Sequence, residues 1–498
     1  MRAPAVLGTV VVGAGLAGLA VAAEMDRAGC GDGTVVLEAG PDDGAAHNRW
    51  AYDETAAVRR WLHPEEDAYA WRPWTARGSG FSDAAALRSR VGGRSLYWHG
   101  VLLPIEPWAL ADPSWPREVV HDLVDSWDGG ACLYDRVTAE LADWAGTEST
   151  GVSAAPVLRI GSLSFREVLK AVRRHPGDPG RWRAYTPLER WVGDTCAPPA
   201  ARIRPGSRVV GVLLDGDEVA GVRVRCDGVD SDVRCRQVVL AAGAVENARL
   251  AIQTLSEAGR RTAAELPGPV DKIDQGFTVA CAADQLPGEV AEMAKRGALL
   301  VSPCAEGLRS NLFLDLRRNM AGGVVIMAST MGEQRLAEAG RVRCRPGRSW
   351  PWPVEVSARP GRADRALARE QRAVLERTWR ELRGYLRLPG PARVFESRRV
   401  GPRTGDGLTA LDHATGAAGP APFALPHGSQ HHDAGTTPFG TLLDADQQFH
   451  GVRGLYAAGP STFPRTGAAN PSLTTLALAR RLAARLAPGT ARNAPAGP

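Results

Sequence analysis

The first forty residues constrain the fold more than any other stretch. Thr9-Val10-Val11-Val12 reads as a fully buried parallel strand. Gly13-Ala14-Gly15-Leu16-Ala17-Gly18 follows and opens an Ala/Leu-rich helix to about Ala28. Val35-Val36-Leu37 is a second buried strand, and it ends at Glu38, twenty residues past Gly18 (18 to 38). The spacing predicts a complete βαβ unit. Its glycines let the backbone approach a pyrophosphate, the helix N-terminus holds the negative charge, and the acid accepts from a ribose hydroxyl. An ordinary Gly-rich βα turn would lack the acid in that place. Nothing in the glycines themselves separates FAD from NAD.

The same stretch, Ala5 to Ala23, is apolar enough to pass for a signal peptide or membrane span. Gly13, Gly15 and Gly18 recur inside it, Glu24 and Asp26 follow at once, and no twin arginine precedes it. A strand-turn-helix fits better, so no targeting segment and no transmembrane helix are expected, and the location expected is cytoplasmic. The 498 residues suffice for two or more domains. The net charge of +5 invites a nucleic-acid reading, but the basic residues are scattered among acids and nearly all arginine, Lys170, Lys272 and Lys295 being the exceptions. No dense basic run interleaved with aromatics occurs, which argues against nucleic acid. The eight cysteines form no Cys-x-x-Cys and no disulfide framework, consistent with reduced thiols.

Along the chain, Trp50 to Trp74 reads as loop and short helix covering the cofactor. Val91-Gly92-Gly93-Arg94-Ser95-Leu96-Tyr97-Trp98-His99-Gly100 is a second Gly-rich turn that permits close backbone approach. Ser114 to Leu141 is helical. Val209 to Val224 is a β meander turning at Asp215-Gly216-Asp217, and Val238-Val239-Leu240 is a buried strand running into Ala241-Ala242-Gly243 and a helix. Short apolar runs at Phe277–Val279, Leu299–Val301, Leu312–Leu314, Val324–Met327 and Val354–Val356 suggest antiparallel strands. A long amphipathic helix is expected from Arg362 to Leu386, with Leu367, Val374, Leu375, Trp379 and Leu382 on one face. Pro402 to Gly428 reads as a Pro/Gly-rich loop. Leu455 to Gly459 is a last buried strand. Asn470-Pro471 opens a helix to about Leu486, with Asn as cap and Pro at the first position.

These segments together resemble the glucose-methanol-choline (GMC) family of flavin oxidoreductases. The resemblance rests on the N-terminal unit with Glu38-Ala39-Gly40, the turn at Gly92-Gly93-x-Ser95-x-x-Trp98, the order His432-x-x-Gly435-Thr436, and Asn470-Pro471-x-Leu473-Thr474. It leans to the pyranose-oxidase-like branch and covers roughly residues 1–140, 205–255 and 425–490. Asn247-Ala248 stands where the second family signature has Ser/Thr-Pro. The resemblance implies an α/β fold: a Rossmann-like FAD-binding domain of GMC type from residues 1–150, 201–265 and 426–498. With it comes a substrate domain of α+β type on an antiparallel sheet, residues 266–425, with 151–200 a substrate-domain or loop segment. It implies FAD contacts from Gly13, Gly15, Leu16, Ala17, Gly18, Glu38, Ala39, Arg90, Gly92, Gly93, Ser95, Tyr97, Trp98 and His99. Further contacts fall to Val209, Ala242, Gly243, Gly459, Asn470, Pro471 and Ser472. In members with covalent FAD a histidine of the second turn bonds the flavin. Its place here is Tyr97, so FAD is expected to be non-covalent, with His99 two residues on.

Oxidising an alcohol removes a proton from oxygen and a hydride from carbon, and the flavin accepts the hydride. By the resemblance His432 is the base and Asn470 hydrogen-bonds the substrate oxygen. The helix starting at Pro471 brings about +0.5 charge to the flavin edge. The expected substrate is a small-molecule alcohol, a sugar, aminosugar or cyclitol, with oxygen or another carrier as electron acceptor. An apolar sterol-like alcohol, transient oxidation giving epimerisation, and a flavin module without turnover are the rivals. A metal site at His427, His431 and His432 lacks an acidic ligand pattern and is not expected. No Gly-x-Ser-x-Gly elbow supports a hydrolase.

Overall fold

The computed structural model describes residues 6–487 apart from 77–80, 148–154, 193–199, 261–263, 305–306 and 396–405. The opening unit folds as its residues dictate. Strand β1 (Leu7–Val12), helix α1 (Leu16–Arg27) and strand β2 (Thr34–Leu37) form the predicted βαβ unit, with β1 and β2 parallel. Val10, Val11 and Val36 are fully buried, as strands covered on both faces must be.

The first sheet runs Arg202–Arg204, β2, β1, Val229–Leu240, Glu218–Cys226, Arg208–Asp215, and Leu455–Ala457 also pairs with Val229–Leu240. The second half of Val229–Leu240 lies parallel to β1, with Val10 opposite Val238 and Val12 opposite Leu240. On its other side Leu455–Ala457 is parallel to Val238–Leu240. The first half turns away to pair antiparallel with Glu218–Cys226. Three strand ends, at Val12, Leu240 and Ala457, therefore open at one edge. Helices α1 and Ser472–Leu486 pack together against this sheet.

The second sheet is antiparallel, in the order Ala418–Ala424, Lys272–Cys281, Val324–Glu333, Ser310–Arg318, Leu299–Pro303, Leu163–Val168, Leu158–Ile160. The helix Arg362–Leu386 covers it, spanning the residues that the apolar spacing predicts. Leu367, Val374, Leu375, Trp379 and Leu382 are its buried face, and Trp379 meets Phe277 edge-on at 5.7 Å between ring centroids.

Two expectations need correcting. Part of the stretch read as loop, Ala418–Ala424, is an edge strand against Lys272–Cys281. Pro420 and Pro422 hid it, yet an edge strand tolerates proline because its outer N–H groups need no ladder partner. Val354–Val356 lies outside the second sheet. It pairs antiparallel with Arg341–Cys344 and parallel with Trp74–Ala76, and its valines enter the core of the first sheet. The second Gly-rich turn contains a single 3₁₀ turn, Gly93–Leu96.

Asn247 accounts for its own departure from the family signature. Its side chain accepts from Ala242 N–H at 2.8 Å and donates to Leu240 O at 3.0 Å and Ser461 Oγ at 2.9 Å. It thus ties the ends of two parallel strands together while fully buried. Asn247→Leu leaves those three partners unsatisfied in the core. Chemical denaturation of the variant is expected to show a loss of about 2–4 kcal/mol, and a change under about 0.5 kcal/mol would mean the tie is dispensable.

Candidate active site

At the open edge the glycines divide their work. Gly13 sits at φ +102°, where a Cβ would meet Ala241 O at 2.8 Å, so the strand ends touch only through glycine. A Cβ on Gly18 would lie 2.0 Å from Gly13 O, which fixes the approach of helix to strand. Gly15 is different: a Cβ there meets nothing within 4 Å, because that position faces the cavity. Gly93, at φ +48°, comes to the same place from the second turn, its would-be Cβ 3.2 Å from Gly15 Cα. Glu38 Oε2 accepts from Ala14 N–H at 2.9 Å and Oε1 from Gly40 N–H at 2.8 Å. Burial raises its carboxyl pKa, and those two N–H groups oppose the rise.

One cavity runs from these glycines to the start of Ser472–Leu486. Of the predicted cofactor residues, Gly13, Gly15, Leu16, Ala17, Glu38, Ala39, Gly93, Ser95, Trp98 and His99 line it. So do Val209, Ala242, Gly243, Gly459, Asn470, Pro471 and Ser472, together with the predicted base His432. Four predicted residues are not in its wall. Gly18 packs the helix onto the strand. Gly92, at φ +91°, faces Leu96. Arg90 donates to Gly44 O at 2.7 Å and lies 4.0 Å over the Tyr69 ring. Tyr97 stacks on Trp61 and shares a hydrogen bond with Asp67, and burial lifts its pKa to about 12.

At the far end His431 and His432 line the cavity with Asn470. His431 holds a left-handed backbone, φ +54°, and its Nε2 pairs with Trp61 O at 3.0 Å. Its ring meets Trp61 edge-on at 4.3 Å between centroids. His432 N–H donates to Asp271 Oδ1 at 3.2 Å. Burial, then the charges of Lys272, Arg94 and His99, hold the His432 pKa well below the usual imidazole value. The imidazole is therefore neutral at pH 7 and can take a proton. Arg94 forms an ion pair with Asp433 and donates to Ala86 O at 2.9 Å, joining the second turn to this loop. The helix Ser472–Leu486 has no side-chain cap hydrogen bond and begins after Pro471. Asn470 is therefore not its cap, a further correction to the sequence expectation, and it stands in the cavity wall instead.

His427 turns from the cavity, its Nε2 2.8 Å from Gln334 Oε1. Among the described residues no group of three or more His, Cys, Asp or Glu could hold a metal. No helix among them is long and apolar enough to cross a membrane, and seven cysteines are free thiols; Cys196 lies outside the described residues.

Sequence reasoning missed several wall residues: Trp61, Trp71, Arg88, Arg94, Arg208 and Gln430. Trp61 belongs to the helix Glu54–Leu62, whose carbonyls at Arg60 and Trp61 accept from the buried Arg88 guanidinium at 3.1 and 3.2 Å. Arg88 in turn pairs with buried Asp67 at 2.7 Å. Gln430 immediately precedes the histidine pair, which was the one local signal available.

Residues 338–479, which include His432 and Asn470, match the family model described as GMC oxidoreductase. That region is a GMC oxidoreductase C-terminal domain. A 72-residue stretch is 42% identical to a C-glycoside 3-oxidase of Arthrobacter globiformis. The stretch is 13% of this chain, and the chain spans only 14% of the length of that relative. Two solved structures share the fold over nearly the whole chain. Pyridoxine 4-oxidase from Mesorbium loti has a TM-score of 0.59 at 16% identity, covering 96% of this chain and 99% of its own. A formate oxidase of Aspergillus oryzae, solved in a study of FAD modification, has a TM-score of 0.60 at 13% identity, covering 96% and 98%.

The different surroundings of Gly15 and Gly18 generate a paired outcome. Gly15→Ala fills open space, so the melting temperature of the FAD-free protein should hold while FAD affinity falls at least about tenfold, one methyl against a pyrophosphate. Gly18→Ala should instead lower the melting temperature of the same FAD-free protein. Equal effects of the two on melting would refute the division of labour.

Proposed function

We propose that this chain, whose residues 338–479 are those of a GMC oxidoreductase, binds FAD non-covalently and oxidises a hydroxyl of a polar small molecule to a carbonyl. Its substrate is a sugar, aminosugar or cyclitol. The observation that carries the proposal is that His432 and Asn470 line the same cavity as Gly15 and Glu38. The cradle fits the cofactor: an unfilled approach at Gly15, two glycine-bearing turns meeting there, and a buried carboxylate at the end of β2.

FAD, when bound, supplies the hydride acceptor. The chain supplies the rest. His432, neutral at pH 7, takes the hydroxyl proton. Asn470 donates its amide to the same oxygen and fixes the direction of the carbon. The N-terminus of Ser472–Leu486 adds about half a positive charge at the cavity wall, favouring negative charge developing beside it. Two features support non-covalent binding. Tyr97 is turned from the cavity, and the His99 Nε2 is occupied by Arg49 Nη2 at 3.2 Å. Trp61 and Trp98 give the cavity broad apolar faces beside Gln430 and His99, a mixture suited to the C–H and O–H faces of a sugar-like ring. The similarity to a C-glycoside 3-oxidase supports the same class.

His432→Ala is expected to keep FAD bound and to slow flavin reduction by substrate at least about a hundredfold in anaerobic stopped flow. A panel of sugars, cyclitols and sterols read by flavin bleaching selects the substrate class, and bleaching by sterols alone would defeat the polar-substrate reading. The pH profile carries a separate expectation. An imidazole held well below its usual pKa stays a base as pH falls, so flavin reduction should show no acid limb near pH 6.5. A limb centred there would mean His432 titrates normally.

A further inference from the structure

The two loops that carry His432 and Asn470 are both gripped by one strand end. Val270 exchanges backbone hydrogen bonds with Ala434, each 3.1 Å. Asp271 Oδ1 accepts the His432 N–H at 3.2 Å. The next residue, Lys272, is fully buried and sends Nζ to Thr466 O and Oγ1, both at 3.1 Å, and to Gly467 O at 2.6 Å. Opposite Lys272 on the neighbouring strand is Glu333, also fully buried, which accepts the Gly467 N–H at 3.0 Å. The Gly467 peptide is therefore held from both sides by a cross-strand pair. Arg465 pairs with Glu333 and with Asp112, each at 2.6 Å, and Ala468 N–H reaches Glu106 Oε2 at 2.8 Å. Each of residues 465–468 is bonded to a charged side chain, and Asn470 follows two positions later.

We infer that Lys272 is a positioning residue: with Asp271 and Glu333 it sets where Asn470 stands relative to His432. This rests on the proposed roles of those two residues. A neutral side chain of similar length would take a donor away from Thr466 O, Thr466 Oγ1 and Gly467 O, and would remove a charge that adds to burial in lowering the His432 pKa. Burial holds the Lys272 pKa down to about 8, while Glu106, Glu333 and Asp271 pull it up. Arg465 pairs with Glu333 beside Lys272, and Arg94 and His99 also act on His432, the titrating neighbour.

The experiment uses FAD-loaded full chain: wild type, Lys272→Met and Lys272→Arg. Three readouts are taken: the His432 pKa by NMR of labelled imidazoles, hydrogen exchange of the 465–470 segment, and anaerobic flavin reduction with substrate saturation. Lys272→Met should keep FAD, raise the His432 pKa, speed exchange of 465–470, and slow reduction at least about tenfold with substrate affinity little changed. Lys272→Arg, which keeps the charge, should return the His432 pKa towards wild type while its different shape leaves reduction slower than wild type. An unmoved His432 pKa and unmoved exchange in Lys272→Met overturn the inference. If Lys272→Met does not fold, Lys272→Arg decides, and wild-type exchange and reduction in that variant overturn it. A wild-type flavin that no alcohol bleaches counts against the proposed oxidation instead, and the pKa and exchange readouts still judge Lys272.

Discussion

A charged amine removed from water must find an oxygen for each of its protons, and Lys272 finds them only where the 465–468 loop meets the strand Lys272–Cys281. That requirement couples the two sheets. The loop leaves the end of Leu455–Ala457 in the first sheet, while Lys272 and Glu333 face each other in the second. Neither sheet could shift without stranding a buried charge, which costs far more than an exposed ion pair returns. The loops that carry His432 and Asn470 into the cavity wall are bonded to this joint, so they and the cofactor cradle of the first sheet are held in a single geometry.

The cradle side is set by a different constraint, the absence of side chains. Gly13 and Gly18 are needed because neighbouring backbone occupies the space a Cβ would take. Gly15 is needed for the opposite reason, because its neighbourhood is left open towards the cavity. One motif therefore mixes folding glycines with a binding glycine, and only the tertiary surroundings tell them apart. The sequence spacing alone assigns all three to the cofactor.

This division explains what could be read in advance. Elements whose signal is local came through: the opening βαβ unit, the meander turning at Asp215-Gly216-Asp217, and the helix Arg362–Leu386 with its buried stripe. The edge strand Ala418–Ala424 did not, because a pattern with two prolines is a strand only if one side is left unpaired, and sheet order is not local. Val354–Val356 carries the right residues for a strand but nothing that names its partner. Within the site, motif residues were legible and wall residues were not. Trp61 and Arg88 sit in stretches without period, and their place depends on the buried Arg88–Asp67 pair folding one helix end over the cavity. Asn470 lines the cavity, but not for the local reason its sequence offers, since the helix starts without its side chain.

Hydrogen-bond direction carries the order of the site further than packing alone. Gln334 Nε2 donates to Asp364 Oδ2 at 2.9 Å and to Arg359 O at 3.1 Å, so its Oε1 must face the other way. There it accepts from Asp271 N–H at 3.1 Å and from His427 Nε2 at 2.8 Å, which places the His427 proton on Nε2. Burial holds the His427 pKa down to about 4, so that ring is neutral and the tautomer is fixed. Asp271, anchored through its own N–H, then presents Oδ1 to His432. Asp364 also caps the start of Arg362–Leu386 through the Gly361 N–H at 2.7 Å. A run of donors and acceptors with only one consistent orientation thus leads from the first turn of that helix to the backbone of the candidate base. A polar substitution of the right size but the wrong polarity anywhere along it must reverse a bond or leave one empty, and the site is ordered by that consistency as much as by its fit.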